Sequence, residues 1–179
     1  MALTTIPSAG AKLRASVLSS LITEVRPVSA LKVGDQTVNN SSTLVNDTNL
    51  FCSVVANAWY AYELHLTQNS NATANFKINF TMPAGAVMIR SNYSNTTGAA
   101  IQHAPFTGAS IGGLTGAAAD AALDVWGSFT TAANAGTLQL QWAQNVANAS
   151  NTIVRDGSSA GAELASANVV SLSRKTSFK

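Results

Sequence analysis

The sequence predicts an all-β protein, an antiparallel β-sandwich of the jelly-roll type, preceded by a short N-terminal arm and helix. Apolar and polar residues alternate with a period of two in many short segments, which is typical of strands with one buried face. Turn residues separate these segments about every ten positions. In the clearest segment, Phe76, Ile78, Phe80 and Met82 alternate with polar residues and a Pro-Ala-Gly turn follows. Helical periodicity is confined to the N-terminal region.

The one predicted helix covers residues 11–23. Its apolar residues recur at i, i+4 and i+8 with two further residues widening the stripe, and Pro27 then stops the helix. Thirteen residues form a marginal helix in isolation, so the stripe requires a partner surface. We therefore expect residues 1–30 to be an anchoring segment and residues 31–179 to be the β-domain. The predicted anchoring face consists of Leu13, Val17, Leu18, Leu21 and Ile22.

Strands are predicted in order from residue 36 onward. In the segment that begins at Trp59, the even-numbered residues from Tyr60 to Leu66 face the core, and the odd-numbered ones face outward. The predicted strands are Gln36–Asn39, Ser42–Val45, Leu50–Val55, Trp59–Thr67, Phe76–Met82, Val87–Ser91, Leu123–Thr131, Thr137–Trp142, Thr152–Arg155 and one near Val169–Ser173.

Residues 92–122 form a long stretch rich in Gly, Ala, Ser and Thr. A structureless segment of this length is uncommon in a compact domain. We expect one short strand near Ala100–His103 and a surface excursion around Gly112, Gly113 and Gly116.

The composition limits the function more than any single motif does. The chain has 179 residues, of which 46% are hydrophobic and only 10% charged, and its net charge is +2. This favours one domain whose polar surface consists of amides and hydroxyls, which desolvate at lower cost than charges do. No basic stripe indicates a nucleic-acid partner, and no apolar run indicates a membrane span. We also expect no secretory signal, a reducing compartment, and a buried Cys52 that acts as a small hydrophobic residue.

Catalytic groups are sparse and scattered. Neither His65 nor His103 has partners at metal-ligand or general-base spacing, and Asp120 and Asp124 are better explained as a solvated loop end than as a carboxylate pair. Residues 108–112 match Gly-x-Ser-x-Gly, but no histidine follows His103 to complete a triad. We predict a protein that is not an enzyme, with no catalytic residues, no metal site and no cofactor.

The aromatic residues leave two interpretations open. Trp59, Trp126, Trp142 and Tyr93 could line a sugar-binding face. Core packing or subunit contact explains alternating tryptophans in strands more simply.

Several blocks of the sequence resemble a known class of protein. They are residues 9–16, residues 42–60 with Ser-Thr-Leu-Val-Asn-Asp-Thr-Asn-Leu, residues 74–86 with Asn-Phe-Lys-Ile-Asn-Phe-Thr-Met-Pro-Ala-Gly, and residues 135–145 with Gly-Thr-Leu-Gln-Leu-Gln-Trp. Together they resemble small virion structural proteins of tailed bacteriophages that infect actinobacteria. The resemblance covers most of residues 8–155, and Gly157–Lys179 lies outside it. It supplies no catalytic residues.

The resemblance implies a non-enzymatic virion protein made in the host cytoplasm. It would be a capsid decoration protein that stabilises the shell or, alternatively, a minor tail or fibre protein that contacts the host surface, with a host glycan as a further partner. We expect a homo-oligomer, with a trimer as the first expectation, bound to major capsid or tail proteins.

Overall fold

The computed structural model describes residues 28–95, 110–114, 116 and 119–165. Within these residues the protein is all-β, with two antiparallel sheets and no helix, so the all-β antiparallel prediction is confirmed. The strands are β1 (Val28–Leu31), β2 (Gln36–Asn39), β3 (Val45–Val54), β4 (Trp59–Asn69), β5 (Phe76–Thr81), β6 (Val87–Asn95), β7 (Ser110–Leu114), β8 (Ala121–Thr130), β9 (Gly136–Gln144), β10 (Asn151–Val154) and β11 (Ser159–Leu164).

The seven-stranded sheet is curled and is organised around β4, its longest strand. One edge of β4 pairs with β8, which in turn pairs with β6. The other edge of β4 pairs first with β11 and then, near its end, with β10. Outside these two strands, β1 pairs with β11 and β2 pairs with β10. The four-stranded sheet has the order β3-β9-β5-β7.

The two sheets share one hydrophobic core. Along β4 the residues alternate between exposed and buried, as the period-two pattern predicts. Tyr62 on β4 contacts Phe80 on β5 edge-to-face, with ring centroids 5.4 Å apart, which joins the sheets at the centre of the core. Trp142 on β9 is fully buried and lies 5.8 Å from the Phe76 ring.

Two interruptions lie side by side in the curled sheet, where one strand run breaks between β1 and β2 and the other breaks between β10 and β11. Residues 32–35 separate β1 from β2, and residues 155–158 separate β10 from β11. The interruptions bond to each other, since Lys32 N–H donates to the Ser158 carbonyl at 2.8 Å and Gly157 N–H donates to the Lys32 carbonyl at 3.1 Å. Gly34 and Gly157 adopt φ values of 77° and 79°, which side chains other than Asn rarely tolerate.

Several strand predictions were wrong in detail. Residues 42–44 are not a strand, and β3 instead runs without a break from Val45 to Val54 with an irregular register between Asn46 and Phe51. The strands β1 and β11 were not predicted. In the 92–122 stretch, β6 continues to Asn95, β7 covers residues 110–114, and Gly116 is buried instead of forming a surface excursion.

The predicted helix, its anchoring face and the strands near residues 100–103 and 169–173 lie outside the described residues. The division at residue 30 stays a prediction. Strand β1 begins at Val28, so the last three residues of the predicted arm pair with β11.

Candidate functional site: the outer face of the curled sheet

The side of the curled sheet that faces away from the core carries most of its ionisable and aromatic surface residues. We call this side the outer face. Three strands build its centre, and the period-two pattern of each strand determines which residues point outward. They are Trp59, Ala61, Glu63 and His65 on β4, Asp124, Trp126, Ser128 and Thr130 on β8, and Ser159, Gly161 and Glu163 on β11.

His65 and Asp124 are partners on neighbouring strands. The Nδ1 atom of His65 lies 2.8 Å from Oδ1 of Asp124, and its Nε2 atom lies 3.7 Å from Oε2 of Glu63. More than half of the His65 side chain is exposed, so the histidine is a surface residue as the alternation on β4 predicted. Asp124 lies within strand β8 and Asp120 contacts Arg155, so the interpretation of these two acids as one loop end was wrong.

The register also places Ser159 next to His65, which gives the order Ser159–His65–Asp124 across three strands. A nucleophilic serine would need its hydroxyl bonded to the histidine base and donors for the developing oxyanion. In the part of the chain that the structure describes, no hydrogen bond joins Ser159 to His65, and the Nε2 atom is oriented toward Glu63. These three residues therefore lack the serine–histidine hydrogen bond that would activate Ser159 as a nucleophile.

The three tryptophans lie in different environments. Trp59 is 56% exposed on the outer face, and Trp126 is half-buried on the same face. Trp142 is fully buried, and its indole N–H donates to the Asp47 carboxylate at 3.1 Å. The interpretation of Trp142 as a sugar-stacking residue was therefore wrong, whereas the positions of Trp59 and Trp126 are compatible with contact to a ligand or partner.

A shallow groove with a volume of about 290 Å³ lies on the outer face at Ala61, two positions along β4 from Trp59. Its floor is formed by Ala61 and Gly161, which contribute almost no side chain, and Val28 and Ser29 form one wall. The carboxylates of Glu63 and Glu163 stand on its rim. They occupy diagonal positions on neighbouring strands, because Glu63 is paired with Gly161 and Ala61 is paired with Glu163. We call this feature the β1–β11–β4 groove.

A second ionic cluster joins the two strand interruptions to the start of β8. Arg155 contacts the Asp35 carboxylate at 2.7 Å and the Asp120 carboxylate at 3.0 Å. The backbone N–H of Asp156 and the Arg155 guanidinium hold the pKa of Asp35 below its usual value. Hydrogen bonds from Asn69 and Arg155 lower the pKa of Asp120 in the same way. These exposed contacts hold the strand interruptions and the start of β8 together, and each of the three charged side chains is already paired.

The buried ionisable side chains also have their ion-pair and hydrogen-bond partners within the protein. Lys32 Nζ lies 2.8 Å from Asp47 Oδ2, and both side chains are inaccessible to solvent. The other Asp47 oxygen accepts the backbone N–H groups of Asn49 and Leu50. Burial raises the pKa of Tyr62 to about 12, although its hydroxyl bond with Ser91 acts in the opposite direction. Burial likewise raises the pKa of the Cys52 thiol.

Metal ligands do not converge anywhere in the described ranges, which contain no cluster of three or more His, Cys, Asp or Glu side chains. The same ranges contain no helix that is long and apolar enough to cross a membrane. Sequence reasoning missed the β1–β11–β4 groove, because the Val28–Ser29 wall and the floor residue Gly161 lie in two strands that were not predicted. The three consecutive small residues Ala160, Gly161 and Ala162 were the available signal.

A scan against models of known protein families finds no match for this chain, and a search of curated proteins finds no match either.

Proposed function

We propose that the chain is a non-enzymatic structural protein of a bacteriophage virion, an accessory protein that binds the surface of the capsid and stabilises the shell. The proposal begins from the sequence resemblance described above and draws support from the fold and from the chemistry of the surface. We also propose that the two sheets form a jelly roll.

The order of the strands is the observation that carries the proposal. If β1 with β2, and β10 with β11, are each counted as one interrupted strand, and β6 is set aside as an added edge strand, eight strands result. Numbered along the chain, they lie in the orders 1-8-3-6 and 2-7-4-5. The first strand then pairs with the eighth, the second with the seventh, the third with the sixth and the fourth with the fifth. This nested pairing is the order expected of a jelly roll, and it supports the proposal because jelly rolls recur in viral capsid proteins and lectins.

The surface chemistry supports adhesion between proteins. The outward-facing residues of β9 and β10 are mostly amides and hydroxyls, among them the exposed Thr137 and Asn151 and the half-buried Gln139 and Gln141. Such groups can exchange water for a partner's hydrogen bonds without the desolvation cost of an ion. Fold alone does not determine function, so the charge-poor surface is the second, independent support.

The test is a deletion of residues 1–26 combined with a particle incorporation assay. Strand β1 begins at Val28, so the deletion leaves every described strand in place. We expect the truncated chain to fold and stay soluble but to be absent from purified particles, because it lacks the apolar stripe on Leu13, Val17 and Leu21. Normal incorporation of the truncated chain would contradict the anchoring role.

A minor tail or fibre protein is the second candidate within the same class. A decoration protein would be present in hundreds of copies in each particle, whereas a tail or fibre protein would be present in few. Quantitative mass spectrometry of purified particles, with the major capsid protein as the internal standard, separates the two.

The exposed Trp59 favours one further candidate, a host glycan bound at the outer face. An aromatic platform beside carboxylates suits a sugar ring, which stacks on the indole and donates hydroxyl hydrogen bonds. Binding on a glycan array should then be lost in Trp59→Ala. The matched control is Phe51→Ala, since Phe51 is also a half-exposed aromatic residue but lies on the four-stranded sheet. A purely structural protein would bind no glycan in either form.

A further inference from the structure

The β1–β11–β4 groove lies close to the point where the described chain ends. Strand β11 finishes at Leu164, and the N–H of Ala165 donates to the Trp59 carbonyl at 2.8 Å. Fourteen more residues, 166–179, follow in the sequence. The chain thus leaves the sheet two residues after Glu163, which stands on the rim of the groove.

Charge is distributed unequally between the described part and this tail. The described part carries the four basic residues Lys32, Lys77, Arg90 and Arg155, and the seven acidic residues Asp35, Asp47, Glu63, Asp120, Asp124, Asp156 and Glu163. The tail carries Arg174, Lys175 and Lys179 and no acidic residue. In the described part no ion pair joins Glu163 to a basic side chain, and the Glu63 side chain is 73% exposed. The carboxylates on the groove rim and the basic side chains of the tail therefore carry opposite charges that attract each other.

The apolar residues of the tail also match the groove. Val170 and Leu172 alternate with serines, which predicts an extended segment with both side chains and Arg174 on one side, about 6.7 Å apart. The groove floor at Ala61 and Gly161 is apolar and lacks bulky side chains. Within the described ranges, a Cβ atom added to Gly161 would meet nothing closer than the Val28 carbonyl oxygen at 3.8 Å, so the floor has room for an incoming methyl group.

We propose that residues 166–179 turn back and dock in the β1–β11–β4 groove of their own chain. Val170 and Leu172 lie over Ala61 and Gly161, and Arg174 and Lys175 lie beside Glu63 and Glu163. Arg174 lies nine positions after Ala165, and nine residue steps can span about 30 Å when extended, which leaves ample length for a reversal of direction. Tethering favours the same chain over a second copy, because a short linker gives an effective concentration in the millimolar range.

The docking concerns the isolated chain and does not depend on the proposed virion role. One consequence does rest on that role. A tail in this groove covers part of the outer face until a partner on the particle displaces it, so it would limit premature association.

Zero-length cross-linking of the full-length protein tests the docking. Natural-abundance and ¹⁵N-labelled chains are mixed in equal amounts, treated with a carbodiimide that joins carboxylates to amines in contact, and digested for mass spectrometry. We expect Glu63 or Glu163 to be joined to Lys175 or Lys179 in peptide pairs of one isotope only.

Pairs of mixed isotope would assign the tail to a second copy. Joining to Lys12 would assign the groove to the N-terminal segment, and absence of any product from these two acids would leave the groove unoccupied. Each of these three results overturns the proposal.

Two variants of the full chain give an independent readout, the rate of tryptic cleavage after Arg174 and Lys175. The double change Glu63→Gln and Glu163→Gln should raise this rate by about two- to thirtyfold, since two exposed ion pairs are lost. Gly161→Val should raise it as well by filling the groove floor. Asp156→Asn, which removes an exposed acid outside the groove, is the matched control and should leave the rate unchanged. Equal rates in all four proteins, with unchanged thermal midpoints, would contradict docking.

Discussion

A small number of buried polar residues determine how the two sheets meet. Lys32 belongs to the interruption between β1 and β2 of the curled sheet, and Asp47 belongs to β3 of the four-stranded sheet. Their ion pair therefore links the sheets. Asp47 also accepts hydrogen bonds from Trp142 and from two backbone N–H groups, so all of its acceptor capacity is used. We expect the pair to favour this arrangement of the sheets, because separating the two side chains within the core would leave each charge buried without its partner.

Removing the lysine should therefore be costly. We expect Lys32→Met to lower the free energy of unfolding by about 3–5 kcal/mol, the usual effect of leaving one partner of a buried ion pair without its counter-charge. Lys77→Met is the matched control and should change it by less than about 0.5 kcal/mol, because Lys77 is only half-buried on β5 and has no ion pair with another described residue. Urea denaturation followed by tryptophan fluorescence measures both. An equal effect of the two changes would show that the Lys32 charge is not needed.

At the scale of elements, the close approach of the β6 backbone explains why strand β8 has a glycine, Gly127, in its interior. Gly127 pairs with Tyr62 on β4 and with Ser91 on β6, where the β6 register is irregular between Met88 and Arg90. A Cβ atom at Gly127 would overlap the carbonyl group of Arg90 and lie 2.9 Å from the Tyr62 ring. The irregularity therefore brings the β6 backbone into the space that a side chain on β8 would occupy.

Alanine scanning of two strand glycines tests this interpretation. Gly127→Ala should lower the free energy of unfolding by about 1–3 kcal/mol, since the rigid backbone of β6 must move. Gly161→Ala is the matched control, because among the described residues its new methyl group meets only the Val28 carbonyl oxygen, at ordinary contact distance. It should be neutral or slightly stabilising. Thermal unfolding followed by circular dichroism provides the comparison, and equal destabilisation would show that the close approach is not the cause.

The ionic cluster at the strand interruptions gives a pH dependence whose sign follows from the lowered pKa values. Asp35 and Asp120 have pKa values in the folded protein below the reference value of 3.8. Their contribution to stability is present above pH 3.8 and is lost as the pH falls through the lower folded values. We expect a double Asp35→Asn, Asp120→Asn variant to lose less stability than the parent protein between pH 4 and pH 2. Parallel losses over that interval would exclude these two carboxyls as a source of the acid sensitivity.

The sequence predicted the central strands well because each of them has one buried face. The patterns of β4, β5 and β9 gave both the strands and the buried residues, and the exposed His65 followed from the same alternation. It did not predict β1 or β11, since Val28–Leu31 is largely exposed and Ser159–Leu164 has only one fully buried residue. Their strand structure depends on pairing of β11 with β4 and of β1 with β11, which is a tertiary effect and leaves no periodic signal. The groove was missed for the same reason, and the small residues Ala160, Gly161 and Ala162 were the one sequence signal that pointed to it.

At the scale of the whole molecule, the longer described strands share one hydrophobic core. Buried side chains from β3, β4, β5, β8 and β9 belong to a single cluster, and the curled sheet has no separate core of its own. Because neither sheet can bury its apolar face without the other, the two should not be independently stable. The buried ion pair strengthens this dependence, since it has one partner in each sheet.

The chain should consequently unfold in a single cooperative step. Trp142 reports on the four-stranded sheet from within the core, whereas far-ultraviolet circular dichroism reports on strands of both sheets. We expect the two probes to give the same midpoint and the same slope in urea, as in a two-state transition. A Trp59→Phe, Trp126→Phe background restricts the fluorescence to Trp142 without changing the core, since neither replaced side chain is fully buried. A fluorescence transition at lower urea than the loss of circular dichroism would mean that the four-stranded sheet separates first, and the shared core would then not be the unit of stability.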